Sequence, residues 1–232
     1  MLSLYIKKLE IFKDYEKLVD ISFDINSSTA LIGQSGSGKS LTLKSLLNLL
    51  PSNLISKKEI ESNFELTYQT IGFVPQNPFT SLSPMTKIKD QFFSPMHKII
   101  DSLKLVNLDN SFLEKYPNQL SGGQLQRVII AIALCRDIKL LLLDEPTTAL
   151  DKENQVNVLK LIDELQKELK ILTLFVTHDI DSIKDLCEDI VIINDGEVVQ
   201  KGKTQEILNK RNSNLYIDKL INSTFNKKEF RK

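Results

Sequence analysis

The 232-residue chain lacks any uninterrupted apolar run near the roughly 20 residues that a membrane-spanning helix needs. Its first ten residues, Met1 to Glu10, do not follow the charged, then apolar, then small order of a secretory leader. Net charge is missing too, because 30 Lys and Arg offset 30 Asp and Glu. That balance gives no electrostatic reason to expect nucleic acid or an anionic membrane as the main partner. Cysteine is scarce: Cys135 and Cys187 each sit inside an apolar helical pattern and read as buried reduced thiols, not as a disulfide or a metal site. No internal repeat and no low-complexity block interrupts the chain. These absences leave one substantial domain over 1–232, expected in the cytosol unless something else holds it at a membrane.

What is present alternates between strand and helix signals. Leu2 to Ile6 and Leu18 to Ile25 alternate as β-strands do, and Thr29 to Ile32 is a short buried strand. A glycine-rich turn, Gly33 to Gly38, leads into a helical run from Lys39 to Leu50 that Pro51 stops. Pro84, Pro95 and Pro117 punctuate helical stretches, so about 77–136 reads as a helical insertion. Lys139 to Leu143 is continuously apolar, as a strand covered on both faces is. Asp151 to Lys170 reads as a helix with Val156, Leu159, Ile162, Leu165 and Leu169 on one face. Ile171 to Thr177 is a strand, Asp181 to Glu188 a helix and Ile190 to Ile193 a strand, and Asp195-Gly196 turns the chain into Glu197 to Gln200. This order implies an α/β fold with a mostly parallel sheet between helices, ending in a polar tail at about 221–232.

Three segments carry chemistry. Gly33-Gln34-Ser35-Gly36-Ser37-Gly38-Lys39-Ser40 fits GxxxxGK[ST] between a strand and a helix. Its backbone N–H groups and helix N-terminus suit phosphate oxygens, Lys39 suits the β and γ phosphates, and the Ser40 hydroxyl suits Mg²⁺. Asp144 and Glu145 close the apolar strand, where two adjacent acids need a cation or a proton to handle. Asp144 suits the Mg²⁺ shell, and Glu145 suits the activation of an attacking water. Leu120-Ser121-Gly122-Gly123-Gln124 opens a helix, and Ser121 and Gln124 fit a capping box. Capping does not account for the glycine pair, for which close approach to another molecule's phosphate supplies a reason.

From Leu18 to about Leu208 the chain resembles the nucleotide-binding subunit of ABC transporters. Gly33 to Ser40 matches Walker A, Gln76 the Q-loop and Leu120 to Gln124 the LSGGQ signature. Leu140 to Asp144 matches Walker B, Glu145 the catalytic glutamate, Ala149-Leu150-Asp151 the D-loop and His178 the switch histidine. The resemblance implies a P-loop NTPase (RecA-like) core with an N-terminal antiparallel β subdomain and an inserted α-helical subdomain. It also implies two subunits, alike or different, facing head to tail with two ATP molecules between them. Gly33 to Ser40, Leu41 and Gln76 would bind ATP. Ser40, Gln76 and Asp144 would hold Mg²⁺, and Glu145 and His178 would catalyse. Ser121, Gly122, Gly123, Gln124 and Asp151 would reach the other subunit's nucleotide. Tyr15 is the first choice for stacking on adenine and Phe12 the second, although the family's aromatic usually lies further upstream.

The same resemblance implies integral-membrane permease subunits docked on the helical insertion, an extracytoplasmic binding protein acting indirectly, and a peripheral place at the cytoplasmic face of the cell membrane. Gln76 to Pro84 (QNPFTSLSP) resembles the QNPxxSLNP stretch of peptide and nickel importers, with Ser83 in place of Asn. The short C-terminus, with no cysteine after Cys187, leans the expectation towards nickel or a nickel chelate, with di- or oligopeptides as the alternative. A soluble ABC ATPase of DNA repair or translation is disfavoured, because neither long coiled coils nor a second core is present.

Overall fold

The computed structural model describes residues 2–209 and 216–217; the expected tail at about 221–232 lies outside them. Its strands are β1 (Leu4–Lys13), β2 (Glu16–Ile25), β3 (Ser28–Ile32), β4 (Leu54–Ser62), β5 (Ile71–Val74), β6 (Leu140–Asp144), β7 (Leu172–Thr177), β8 (Asp189–Asn194) and β9 (Glu197–Lys203). The helices are α1 (Lys39–Leu46), α2 (Met96–Leu105), α3 (Gly122–Leu134), α4 (Lys152–Leu169) and α5 (Thr204–Asn209). They fall into two compact units, one up to Asn63 together with the chain from Leu172, the other Phe64–Ile171.

In the first unit, β1 pairs antiparallel with β2 and β4. β3 lies between β7 and β8, parallel to both. The residues of β3 and β7 are buried throughout, as strands covered on both faces require. Phe23 and Phe175 are fully buried, each worth about 1.5–3 kcal/mol relative to exposure. β8 returns antiparallel as β9. Asp195 and Gly196 between them take φ of 48° and 80°, the paired positive values of a type I′ hairpin that the Asp-Gly sequence favours. That hairpin tip is a junction, since Gly196 accepts from Asp20 N–H at 2.7 Å and donates to the Ser37 carbonyl at 3.2 Å.

In the second unit, β5 and β6 run parallel in the register Val74 opposite Leu143. The insertion is made of α2, α3 and short 3₁₀ turns, with Pro95 capping α2 and Pro117 opening a turn. Val128, Ile130 and Ala131 of α3 are fully buried. Cys135 here and Cys187 in the first unit are free and buried, and burial pushes the Cys187 thiol well above its usual range.

Four expectations are corrected. α1 ends at Leu46, not Leu50, because Asn48 takes a left-handed φ of 56° and turns the chain before Pro51. The buried stripe of α4 is Val158, Leu161, Ile162 and Leu165, while Val156 is 65% exposed. Ile162 and Leu165 of the expected face are buried, while Leu159 and Leu169 are half-buried at its margin. Residues 181–186 form consecutive turns and not an α-helix. There Asp179 competes for the backbone, accepting from Asp181 N–H at 3.1 Å through its side chain and from Ser182 Oγ at 2.7 Å through its carbonyl. β1 also runs to Lys13, well past Ile6.

Candidate functional site

The register of β3 carries the first cluster. Ile32 lies opposite Thr177 of β7 and Ile192 of β8. Gly33 and His178 therefore leave neighbouring strands at the same level, and Ile193 follows on the other side. Gly33 is wedged there: a Cβ on it would lie 2.4 Å from both the Ile193 carbonyl oxygen and Ser37 Oγ. Gly38 takes φ of 103° at the N-cap of α1, a conformation that L side chains rarely adopt. Lys39 is only 6% exposed. Its Nζ donates to the Gly33 carbonyl at 2.7 Å and the Gln34 carbonyl at 2.9 Å. The ammonium is thus folded into the loop it belongs to, within reach of any anion the loop holds. Ser40 is exposed, Leu41 half-buried and His178 exposed.

The β5–β6 register carries the second cluster, within the other unit. Two residues beyond the opposed Val74 and Leu143 stand Gln76 and Glu145. Gln76 Nε2 donates to Glu145 Oε2 at 2.9 Å, and Thr148 Oγ1 donates to the same oxygen at 3.0 Å. Glu145 takes a positive φ of 44°, a strained conformation of about 1–3 kcal/mol of the kind that collects at functional sites. Gln155 of α4 holds the intervening loop, its Nε2 donating to the carbonyls of Thr147 at 3.1 Å and Leu150 at 3.0 Å. Two donors on one oxygen hold the carboxylate in a fixed orientation. Asp144 stands half-buried at the end of β6.

The third cluster is the start of α3. Ser121 Oγ accepts from Gln124 N–H at 3.3 Å and Gln124 Oε1 accepts from Ser121 N–H at 3.0 Å, so the capping box forms. The glycine pair has an internal reason that the sequence did not disclose. A Cβ at Gly123 would lie 2.1 Å from Asn154 Oδ1, and one at Gly122 would lie 3.3 Å from both Leu150 and Phe79. Asp151 in turn caps α4, accepting from Asn154 N–H at 2.9 Å and from Asn154 Nδ2 at 2.7 Å. These bonds hold the Asp151 carboxyl below the usual carboxylate range. Asn154 thus links Asp151 to Gly123 within one chain. We expect Gly123→Ala to cost about 1–3 kcal/mol by overpacking. Much of that should return in Gly123→Ala/Asn154→Ala; a denaturation double-mutant cycle that comes out additive would remove Asn154 from this contact.

The adenine candidates sit on the β1–β2 hairpin. Tyr15 is fully exposed at its tip, whereas the Phe12 ring has the Lys57 ammonium 5.3 Å from its centroid. Thr148, Asn154 and Gln155 were missed by sequence reasoning. Only Asn154 left a local signal, its place three residues after a capping aspartate. No group of three or more His, Cys, Asp or Glu residues suited to a metal occurs among the described residues. Ser40, Gln76 and Asp144, expected to hold Mg²⁺, each carry a side-chain oxygen of the kind that ion accepts.

A family model described as "ABC transporter" matches residues 18–148, more than half of the chain. The dipeptide transport ATP-binding protein DppD of Caldanaerobacter subterraneus is 36% identical, across 88% of this chain and 71% of that protein. The oligopeptide transport ATP-binding protein OppD of Bacillus subtilis is 31% identical, across 82% and 61%. The methionine import ATP-binding protein MetN of Vibrio vulnificus is 38% identical, across 84% and 62%. The chain therefore spans between 61% and 71% of the lengths of these three relatives. Among solved structures, an inward-facing conformation of a putative metal-chelate type ABC transporter matches with a TM-score of 0.73 at 30% identity, over 90% of this chain and 86% of that one.

Proposed function

Because the chain belongs to the ABC transporter family, we propose that it is the ATP-hydrolysing subunit of an importer of di- or oligopeptides. The observation that carries the catalytic half is the Glu145 carboxylate, strained at its backbone and held at Oε2 by Gln76 and Thr148. In this reading the loop amides of Gly33 to Ser40 and the Lys39 ammonium bind the β and γ phosphates. Ser40, Gln76 and Asp144 hold Mg²⁺, which when bound neutralises charge on the phosphates. Glu145 takes a proton from the attacking water while Gln76 and Thr148 keep its carboxylate aimed. His178, leaving the sheet beside Gly33, contacts the γ-phosphate. Ser121 to Gln124 and Asp151 face nucleotide held by a second ATPase subunit, and Tyr15 or Phe12 covers the adenine.

The surface supports a docked permease. Phe79, Met85, Phe93 and Met96 of the second unit are 56%, 85%, 95% and 51% exposed, large apolar side chains that a docked partner would cover. No helix among the described residues is long and apolar enough to cross a membrane, so the membrane path belongs to partner subunits in this reading. Peptides take precedence over the nickel expected from the short C-terminus, because DppD and OppD carry dipeptide and oligopeptide transport in their names. A metal chelate is the second reading, favoured by the likeness to the metal-chelate type transporter. Cells lacking this chain should lose uptake of a labelled dipeptide and keep uptake of labelled nickel. The reverse pattern would hand the assignment to the second reading, and retention of both would sink the two together.

A further inference from the structure

The peptide unit between Gly33 and Gln34 is held on both of its polar edges. Its carbonyl accepts from Lys39 Nζ at 2.7 Å, and its N–H donates to the Tyr216 hydroxyl at 3.0 Å. The same hydroxyl donates to the Ile193 carbonyl at 3.2 Å. Ammonium, peptide, phenol and β8 carbonyl thus form one directed chain of hydrogen bonds, in which each member polarises the next. Ile193 is also the carbonyl against which Gly33 is wedged, 2.4 Å from where a Cβ would stand. Ile217, the residue after Tyr216, is buried.

Rotating this peptide by half a turn would change ψ of Gly33, which glycine tolerates, and φ of Gln34, and would exchange the directions of its N–H and C=O. Such a flip at Gly33–Gln34 would turn the carbonyl away from Lys39. The Tyr216 hydroxyl opposes it for a specific reason. Its proton is engaged by Ile193, so its lone pairs meet an N–H from Gln34 favourably and a carbonyl unfavourably.

We propose that Tyr216 is a positioning residue for the phosphate-binding loop, fixing the Gly33–Gln34 peptide and through it the Lys39 ammonium. No motif in the sequence points to it, since it lies 182 positions from Gln34. The inference rests on Gly33 to Ser40 being the nucleotide site. It makes Tyr216 part of the binding machinery, where the sequence alone shows only the approach to a polar tail.

The test compares the full chain with Tyr216→Phe, which removes the hydroxyl and keeps the ring. Mg-ATP and Mg-ADP are titrated by calorimetry, and thermal unfolding is followed in parallel. Loss of the hydroxyl, and with it the bonds to Gln34 N–H and the Ile193 carbonyl, should weaken both nucleotides by about threefold to tenfold. In the hydrolysing complex the loss should fall on KM more than on kcat, since the loop grips ground state and transition state alike. Parental affinity in Tyr216→Phe overturns the inference, as does a lowered melting temperature with affinity unchanged, which would make the residue a purely structural prop. Failure of the parent chain itself to bind ATP would instead overturn the nucleotide reading on which the inference stands.

Discussion

Glu145→Gln should reduce ATP hydrolysis by about 10²- to 10⁴-fold, the range that a positioned general base supplies, and leave ATP binding in place. The exchange is conservative in shape. Gln76 Nε2 and Thr148 Oγ1 both donate to Oε2 of the present carboxylate, and an amide oxygen in that position would accept both bonds. What disappears is the capacity to take a proton from water at neutral pH. The loop of Gly33 to Ser40 keeps its lysine and its amides, so affinity should survive. Single-turnover phosphate release beside an equilibrium titration separates the two effects. A variant retaining more than a tenth of the parental rate would remove Glu145 from the role of base.

The second large effect belongs to Lys39→Ala, which should lower ATP affinity by about a hundredfold or more. The ammonium is nearly sealed from water and bonds to the Gly33 and Gln34 carbonyls at 2.7 and 2.9 Å. Hydrogen bonds to charged groups contribute about 1.5–3 kcal/mol each, and phosphate oxygens would take more than one from this group. Its removal also leaves two carbonyl oxygens facing the incoming phosphate negative charge with no cation between them. The variant costs binding before chemistry, opposite in order to Glu145→Gln. Titration with Mg-ATP checks it, and an unchanged dissociation constant would contradict the assignment of the loop.

The segments that carry these effects were legible because their chemistry is local. Gly36 and Gly38 have positive φ, and a glycine-rich turn before a helix announces such geometry. The Asp-Gly hairpin and the Ser121–Gln124 capping box were legible for the same reason, since each is decided within four residues. Legibility failed where a partner far along the chain decides. Leu54 to Ser62 reads as polar, with two lysines and two glutamates, yet forms β4 beside β1. Charges along a strand with one such neighbour are ordinary protection of an edge and leave little apolar alternation to read. Periodicity picks out Ile162 and Leu165 of the buried α4 face but not Val158 and Leu161, because Val156 and Val158 both begin an acceptable helical spacing. The reason for Gly123 lay in Asn154, and the bracing of the phosphate-binding loop in Tyr216, contacts for which a sequence motif carries no sign.

In the proposed role, ATP hydrolysis at Glu145 drives import of peptides. Its most direct test is uptake of a labelled dipeptide by cells whose only copy of this chain carries Glu145→Gln, compared with cells carrying the parent. Uptake should fall to the level of cells lacking the chain while the variant protein is present in normal amount. Uptake at the parental rate would contradict it.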